Sequence, residues 1–295
     1  MKFGLLVPNW APFDQTSMLE VGLEAEALGF DHVFYTDHLM NPHTASDNLP
    51  DTTVETLTFL GFLGARTESI RIGVGVAPMA LRAPALLAKQ MATLDNLVGG
   101  RLDVGLGTGW APESFGLLGR PLPGTPERIG RLREGVEVML RLWHEDYVDF
   151  QGTYYSVNHG LIAPKPVQQP HPPLLFGGFG QSMLSLTATF GDGWIPWHRQ
   201  SDHYARCLEE IRRLETVAGR EVPVTAGTVT MIVPDALGKV AMDMGQGPPP
   251  NITVSQSRDA VAAYAAAGCE LFLVFLFPAE GVMATLRALA KRLLV

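Results

Sequence analysis

The chain has little cysteine, no long apolar run and no excess of positive charge, and each shortage excludes a class of protein. Two cysteines among 295 residues are too few for a disulfide scaffold or a zinc site, so reduced thiols in the cytoplasm are expected. No apolar run approaches the roughly 20 residues that cross a bilayer, and no leader-like segment is visible, so we expect no membrane partner. The net charge of −8 argues against a nucleic-acid partner, which requires a basic surface.

Two common catalytic signatures are also missing. The sequence contains neither a His-x-x-x-His spacing for a metal nor a Gly-x-Ser-x-Gly elbow for a nucleophile, so no metal site is expected. Hydrophobic residues make up 46% of the chain and charged residues 18%, which supplies a large core and shows no sign of disorder. A chain of this length forms two ordinary domains or one large α/β barrel.

A strand–helix–strand unit between Ile70 and Trp110 organises the rest of the chain. Ile70–Pro78 is a β-branched run, Arg82–Leu97 has apolar residues at helical spacing, and Leu102–Leu106 is the next strand. Such a short unit predicts a right-handed parallel crossover. Both strands are followed or ended by glycine, which either lets a flat ligand approach the backbone or accommodates close packing or a bulge.

Strands and helices alternate about eight times, with one interruption. This pattern predicts an α/β fold, a (β/α)8 TIM barrel with an insertion after the fourth helix, in a single domain over residues 1–295. A doubly wound open sheet is the alternative, and the length and eight-fold count favour the barrel. The insertion spans about 144–173 and contains a hairpin. A segment at about 234–254 is expected to be mobile, either as a lid over the barrel mouth or as a surface excursion or subunit contact.

Barrel enzymes place their sites at the carboxyl ends of the strands, and there the chain carries glycines, aromatics and histidines. These positions are Asn9 and Trp10, Asp37 and His38, Gly75, Val76 and Ala77, Gly107, Thr108, Gly109 and Trp110, Gly177–Gly180 including Gly178 and Phe179, and Trp197 and His198. Such a rim suits a large planar cofactor better than a metal or a sugar.

The turn Gly177–Gly180 leaves one strand and opens a helix. Its free backbone N–H groups and the helix dipole predict an anion site, typically for phosphate. A purely structural turn is the alternative.

The pair Asp37-His38 is the strongest candidate for acid–base chemistry. Past the end of a strand both side chains can face the mouth, and a histidine exchanges protons near neutral pH. The alternative is that His38 only caps a loop. Glu113 lies in the predicted loop from Pro112 to Pro126, where it is either a rim charge or a hydrogen-bonding group of the pocket.

Nine further motifs are spread over nearly the whole chain, at Thr36–Leu39, Ile70–Val76, Pro84–Gln90, Thr93–Asp95, Gly99–Trp110, Val148–Gly152, Pro164–Pro166, Phe176–Gly178 and Gly191–Trp194. In this order they resemble the bacterial-luciferase-like superfamily of flavin and deazaflavin (coenzyme F420) enzymes, and the F420-dependent oxidoreductase branch most closely.

The resemblance implies a cofactor across the barrel mouth, with His38 near the hydride-transfer face and phosphate on Gly177–Gly180. It also implies a bulge with a non-proline cis peptide within Gly75-Val76-Ala77. In the family's sugar-phosphate dehydrogenases a glutamate directly follows the Gly-Thr-Gly, whereas Trp110 stands there in this chain. A pocket framed by Trp10, Trp110 and Trp197 therefore suits an apolar or aromatic substrate.

Three functions remain open at this point. The first is hydride transfer between F420 and a small organic substrate, with His38 as acid or base. The second is an FMN-dependent monooxygenase with the same fold, and the third is a barrel that binds a flavin or small ligand without catalysis. A small-molecule partner and a homodimer are expected.

Overall fold

The computed structural model describes residues 1–42, 52–197, 201–238, 251–277 and 280–294. Within these ranges the strands are β1 (Lys2–Val7), β2 (His32–Tyr35), β3 (Arg71–Pro78), β4 (Leu102–Gly107), β5 (Val148–Gln151), β6 (Ser156–Gly160), β7 (Leu174–Phe176), β8 (Gly193–Trp194), β9 (Thr225–Val233), β10 (Asn251–Thr253) and β11 (Leu271–Leu276). The helices are α1 (Gln15–Leu28), α2 (Thr56–Gly64), α3 (Pro84–Leu97), α4 (Pro112–Leu117), α5 (Thr125–His144), α6 (Gln181–Phe190), α7 (Ser201–Ala218), α8 (Ser257–Ala266) and α9 (Val282–Leu293).

Eight of these strands form a closed ring. The order is β1, β2, β3, β4, β7, β8, β9 and β11, every neighbouring pair is parallel, and β11 pairs back to β1. The predicted (β/α)8 TIM barrel is therefore confirmed, and closure of the ring excludes the open-sheet alternative. Because all eight strands are parallel, their carboxyl ends meet at one end of the barrel, called here the mouth.

The strands are apolar along most of their length because they are covered on both faces. All residues of β2 and all residues of β11 are buried, for example. One apolar cluster fills the ring itself, and a larger one lies between the ring and the surrounding helices. Strands of a parallel sheet that is buried on both sides characteristically form such continuous apolar runs.

The insertion after α5 contains the predicted hairpin. Strands β5 and β6 pair antiparallel. In the segment 234–254, a short 3-10 turn (Asp235–Leu237) and β10 are described, and β10 pairs with the last residues of β9. The predicted lid concerns mainly residues 239–250, which lie outside the described residues.

Candidate active site

The mouth of the barrel contains a small cavity of about 50 Å³ with an uncharged lining. Leu6, Phe34, Gly75, Val76, Gly177, Ile195, Trp197, Val229 and Leu273 form its walls. Most of these residues belong to the apolar cluster inside the ring. The mouth therefore offers an apolar floor to a ligand, and four residues of the expected rim, Gly75, Val76, Gly177 and Trp197, belong to its lining.

The floor includes a bulge in β3. The pairing of β3 with β4 shifts register between Val74 and Ala77, and the peptide bond between Gly75 and Val76 is cis. The bulge and the cis bond expected within Gly75-Val76-Ala77 are both present. Gly75 and Val76 are half-buried and line the cavity, whereas Ala77 is fully buried.

The glycines of β4 leave room for the neighbouring strand β3, and not for a ligand. A Cβ on Gly105 would overlap the carbonyl oxygen of Val74, and a Cβ on Gly107 would overlap the side chain of Val76. These glycines accommodate the bulge, so of the two interpretations of glycine at this end, close packing is correct for β4. Because Gly107 is buried beneath Val76, and Ala77 is also buried, the cofactor contacts predicted at these two residues are not presented to the mouth.

Gly109 ends the segment that follows β4. It has a φ of +76°, and a Cβ there would lie 2.9 Å from Cβ of Pro78, so only glycine fits without strain. The guanidinium of Arg128, on α5, donates a hydrogen bond to its carbonyl oxygen. Thr108 and Trp110 are half-buried on either side of it. Arg128 thus fixes the loop that carries Trp110.

The turn Gly177–Gly180 joins β7 to α6, as predicted. Trp194 donates its indole N–H to the carbonyl oxygen of Gly178 at 2.9 Å, and Gly178 has a φ of +99°. Gly180 is the N-cap of α6, no side chain caps this helix end, and a Cβ on Gly180 would have open space around it. Phe179 packs edge-on against Trp194 at 5.7 Å between ring centres. The turn is held rigidly and leaves the first N–H groups of α6 uncapped, which is the arrangement that binds anions.

His38 lies just beyond β2, half-buried between two indoles. Its ring is edge-on to Trp10, at 4.8 Å between centres and 83° between planes, and to Trp110, at 5.5 Å and 74°. Trp197 packs edge-on against Phe275 and, like Trp10, belongs to the apolar cluster inside the ring. The structure therefore brings Trp10, His38 and Trp110 into ring contact, while His198 lies outside the described residues.

Asp37 does not face the mouth, contrary to expectation. Its side chain is fully buried, and both carboxylate oxygens accept hydrogen bonds from the guanidinium of Arg82, one of them at 2.8 Å. Arg82 also donates to Glu55, at 3.1 Å. Burial raises the pKa of Asp37, and the attraction of Arg82 only partly offsets it. With both oxygens engaged, Asp37 cannot act as a proton donor or acceptor for a ligand in the mouth.

Glu113 belongs to the first turn of α4, in a stretch that the sequence analysis assigned to a loop. Its side chain is partly buried, and among the described residues nothing donates a hydrogen bond to its Oε2. A carboxylate oxygen without a partner at this end of the barrel is consistent with a group that hydrogen-bonds a ligand.

Sequence reasoning overlooked three polar residues that build this end of the barrel. Asn9 was noted only as part of the rim, Arg82 only as the start of a helix, and Arg128 was not singled out. For Arg82 a signal existed, because Asp37 follows one strand and Arg82 follows the next, and the carboxyl ends of neighbouring strands meet. Three of the four side-chain hydrogen bonds of Asn9, and the bond from Arg128 to the loop at Gly109, are with main-chain groups, which the sequence does not encode in any recognisable spacing.

The family model for luciferase-like monooxygenases matches residues 1–237. The chain belongs to the luciferase-like monooxygenase family. The predicted superfamily and the prediction of an enzyme are therefore confirmed. Among relatives, an F420-dependent glucose-6-phosphate dehydrogenase of Microbacterium testaceum (strain StLB037) is 36% identical over 196 residues, which cover 66% of this chain and 56% of that relative. The chain thus spans little more than half the length of this relative.

Two solved structures have the same fold. An F420-dependent secondary alcohol dehydrogenase in complex with an F420-acetone adduct superimposes with a TM-score of 0.83 at 18% identity, covering 98% of both chains. A long-chain alkane monooxygenase gives the same TM-score at 13% identity and covers 100% of this chain and 91% of its own. At such identities the likeness establishes the shared barrel.

In the ranges that the structure describes, no helix is long and apolar enough to cross a membrane. Within the same ranges, no group of three His, Cys, Asp or Glu side chains is arranged to hold a metal ion.

Proposed function

We propose that the protein transfers a hydride between coenzyme F420 and a small, uncharged organic substrate, with His38 as the acid or base. The observation that carries the proposal is the uncharged lining of the cavity in the mouth. The mouth combines the bulged Gly75-Val76 floor, the uncapped turn at Gly177–Gly180 and a histidine between two indoles. The relative named as an F420-dependent dehydrogenase supports the cofactor.

The residues of the mouth fit a deazaflavin with a phosphate-bearing chain. Gly75 and Val76 would support one face of a planar ring, and the N–H groups after Gly180 would bind the phosphate in the space that a Cβ there would occupy. When bound, F420 supplies a two-electron carbon centre that accepts or donates hydride and does not readily activate oxygen. Because Ala77 and Gly107 are buried, we leave them out of the proposed contacts.

His38 would move the proton that accompanies the hydride. Oxidation of an alcohol to a ketone releases a hydride and a hydroxyl proton, and the imidazole of His38 would accept that proton; in the reverse direction it would return it. The indole edges of Trp10 and Trp110 restrict the ring to a narrow range of orientations. They would also keep water away from the reacting atoms.

The substrate would be apolar or aromatic rather than a sugar phosphate. Trp110 stands directly after Gly107-Thr108-Gly109, and the cavity lining includes no charged side chain. Glu113, with its unpartnered Oε2, would hydrogen-bond one polar group of the substrate. This differs from the activity in the name of the Microbacterium relative, so the two substrate classes provide a direct test.

The test is to measure binding and turnover with matched cofactors and substrates. We expect F420 to bind more tightly than FMN, and reduction of F420 by a small apolar alcohol to exceed reduction by glucose 6-phosphate. Rapid turnover of glucose 6-phosphate would refute the substrate class and leave the cofactor intact. A protein that binds F420 but turns over no alcohol, and no ketone with reduced F420, would be the non-catalytic barrel.

A second candidate, an FMN-dependent monooxygenase, is favoured by the description of the matching family. It predicts tighter binding of FMN than of F420 and substrate-dependent consumption of oxygen by the reduced FMN-loaded protein. These two results together would replace the F420 proposal.

A homodimer in the cytoplasm completes the proposal. Neighbouring helices α2 and α3 expose Phe62, Leu86 and Leu97, which a second copy of the chain would cover. Both cysteines are free, as in a reducing compartment. Light scattering after gel filtration, with Leu86→Glu as the comparison, should show a dimer that the substitution weakens.

A further inference from the structure

The side chain of Asn9, just beyond β1, brackets the main chain of His38. Its Nδ2 donates to the carbonyl oxygen of His38 at 2.8 Å, and its Oδ1 accepts from the N–H of His38 at 3.2 Å. The remaining capacity of the carboxamide is also used, because Nδ2 donates to Val54 O at 2.8 Å and Oδ1 accepts from the hydroxyl of Thr36 at 2.9 Å. Asn9 is fully buried, so no hydrogen-bonding atom of its side chain is left for solvent.

This bracket begins where the regular pairing of β1 with β2 ends. The last regular partners are Val7 and Tyr35, and the N–H of Thr36 still donates to Val7 O at 3.0 Å. Beyond Thr36, hydrogen bonds between the main chains of β1 and β2 no longer fix the backbone. The carboxamide of Asn9 replaces them, since an amide side chain offers one donor and one acceptor side, as a peptide group does. The orientation of the amide follows from its partners, because two of them are carbonyl oxygens and one is an N–H group.

The next residue extends the contact from the main chain to the ring. Trp10, which directly follows Asn9 in the sequence, is buried and contacts the imidazole of His38 edge-on. The two residues after β1 thus fix the peptide of His38 and restrict its ring. A side chain that must meet a substrate atom within a few tenths of an ångström depends on both restraints, since misplacement by about 1 Å can cost 100-fold in rate.

We infer that Asn9 is a positioning residue for His38, which holds the imidazole at the angle that proton transfer requires. This inference rests on the proposed role of His38. The competing explanation is that Asn9 only anchors the segment from Val54 to Thr56, which also bonds to it. Thr56 separates the two, because its hydroxyl ties the same segment to Thr36 O at 2.7 Å without contacting His38.

A double-mutant cycle tests the inference in the full chain with F420 and substrate. Asn9→Ala should lower kcat about tenfold while KM and the F420 dissociation constant change by less than about twofold. In the His38→Ala background, Asn9→Ala should change kcat by less than about twofold, because the residue through which it acts is gone. Thr56→Val, the matched control, should lower thermal stability and leave kcat unchanged.

Each contrary result has its own meaning. An equal loss from Asn9→Ala in both backgrounds, or a loss of kcat in Thr56→Val as large as in Asn9→Ala, would overturn the inference. An unchanged kcat in His38→Ala would instead refute the proposed function. If Asn9→Ala does not fold, Asn9→Ser enters the same cycle. Hydrogen exchange of the unsubstituted protein tests the contact without any variant. The N–H of His38 should be protected by its hydrogen bond to Oδ1 of Asn9, and exchange as fast as in an open loop would refute that bond.

Discussion

Two buried aspartates, each paired with an arginine, lie at opposite ends of the barrel, and their surroundings differ. At the amino end, Asp103 on β4 accepts from Nε and Nη2 of Arg71, at 3.0 and 2.6 Å, and from Nδ1 of His32 at 2.8 Å. Burial by itself raises the pKa of Asp103, but the hydrogen bonds from His32 and Arg71 outweigh it and hold the pKa below its usual range.

At the mouth, Asp37 is paired with Arg82, and it shares this arginine with Glu55. Burial dominates there and raises the pKa of Asp37. Asp103 therefore lies in a cluster that stabilises its charged form, whereas in the cluster below the mouth one arginine, Arg82, serves two carboxylates, Asp37 and Glu55. At the amino end the surroundings thus favour the charged aspartate, whereas at the mouth Asp37 and most of Arg82 are buried below the apolar floor and Glu55 is exposed.

The cavities at the two ends show why volume is a poor guide to the site. The larger one, about 510 Å³, opens at the amino end, where Lys2, Asp192 and Glu270 line it together with the Asp103 cluster. The cavity in the mouth is about one tenth of that size. Yet only the mouth combines an uncharged floor, an uncapped helix N-terminus and a restrained histidine. The site is marked by chemistry, and a bound cofactor would extend above the small cavity.

Replacing one histidine at each end of the barrel should produce the largest difference between the two ends. His38→Ala should lower turnover about 100-fold, because an acid or base is lost, and leave F420 binding within about twofold. His32→Gln, its counterpart at the amino end, should lower thermal stability and leave turnover unchanged. Steady-state kinetics and cofactor titration of the two variants provide the measurement. Equal losses of turnover in both, or none in His38→Ala, would contradict the division between the two ends.

A second test concerns the glycine turn at the mouth. Gly180→Val should weaken F420 binding about tenfold, because the new side chain fills the space over the uncapped N–H groups of α6. The substitution is compatible with the backbone, since Gly180 has a φ of −66°. Gly178 is less suitable for this purpose, because its φ of +99° would strain any side chain.

Gly124→Val is the matched control, because Gly124 is also a helix N-cap with a similar φ, −60°, and a Cβ there would make only an ordinary contact with Pro126 at 3.9 Å. It should leave the F420 dissociation constant unchanged. If Gly180→Val binds F420 as tightly as the parent, the phosphate lies elsewhere.

The sequence predicted the barrel because its signals are local and repeated. Apolar runs such as Leu271–Leu276 and helical spacing such as that of Pro84–Leu97 recur along the chain, so errors at single elements do not change the count. The glycine turn at Gly177–Gly180 was also predictable, since its position between a strand and a helix is visible in the sequence.

Contacts between distant segments could not be predicted in the same way. The expectation that Asp37 faces the mouth failed because Arg82, 45 positions later, turns the carboxylate inward. Gly107 suggested a ligand face, but the side chain of Val76 on the neighbouring strand occupies that space. In both cases the orientation or accessibility of a residue depends on the side chain that the adjacent strand, or the segment after it, places beside it. The spacing of residues within one strand does not encode that neighbour.

The smallest expected effect is a pH dependence at the amino end. The pKa of Asp103 is lower in the folded protein than its unfolded value of about 3.9, so ionisation of Asp103 contributes stability. This contribution is complete above the unfolded pKa and is lost as the pH falls through the lower, folded value. Asp103→Asn removes it, and the difference in unfolding free energy between parent and variant should therefore shrink, by on the order of 1 kcal/mol, as the pH falls from about 5 to below 3.

Urea unfolding of both proteins across this range gives the measurement. Glu209→Gln, on the exposed face of α7, is the control for general acid effects and should run parallel to the parent at every pH. Turnover of Asp103→Asn at neutral pH should equal that of the parent, because the cluster lies at the end of the barrel away from His38. A difference between parent and Asp103→Asn that stays constant down to the lowest pH would show that the Asp103 charge does not stabilise the fold. Slower turnover in the variant would show that the two ends of the barrel are coupled.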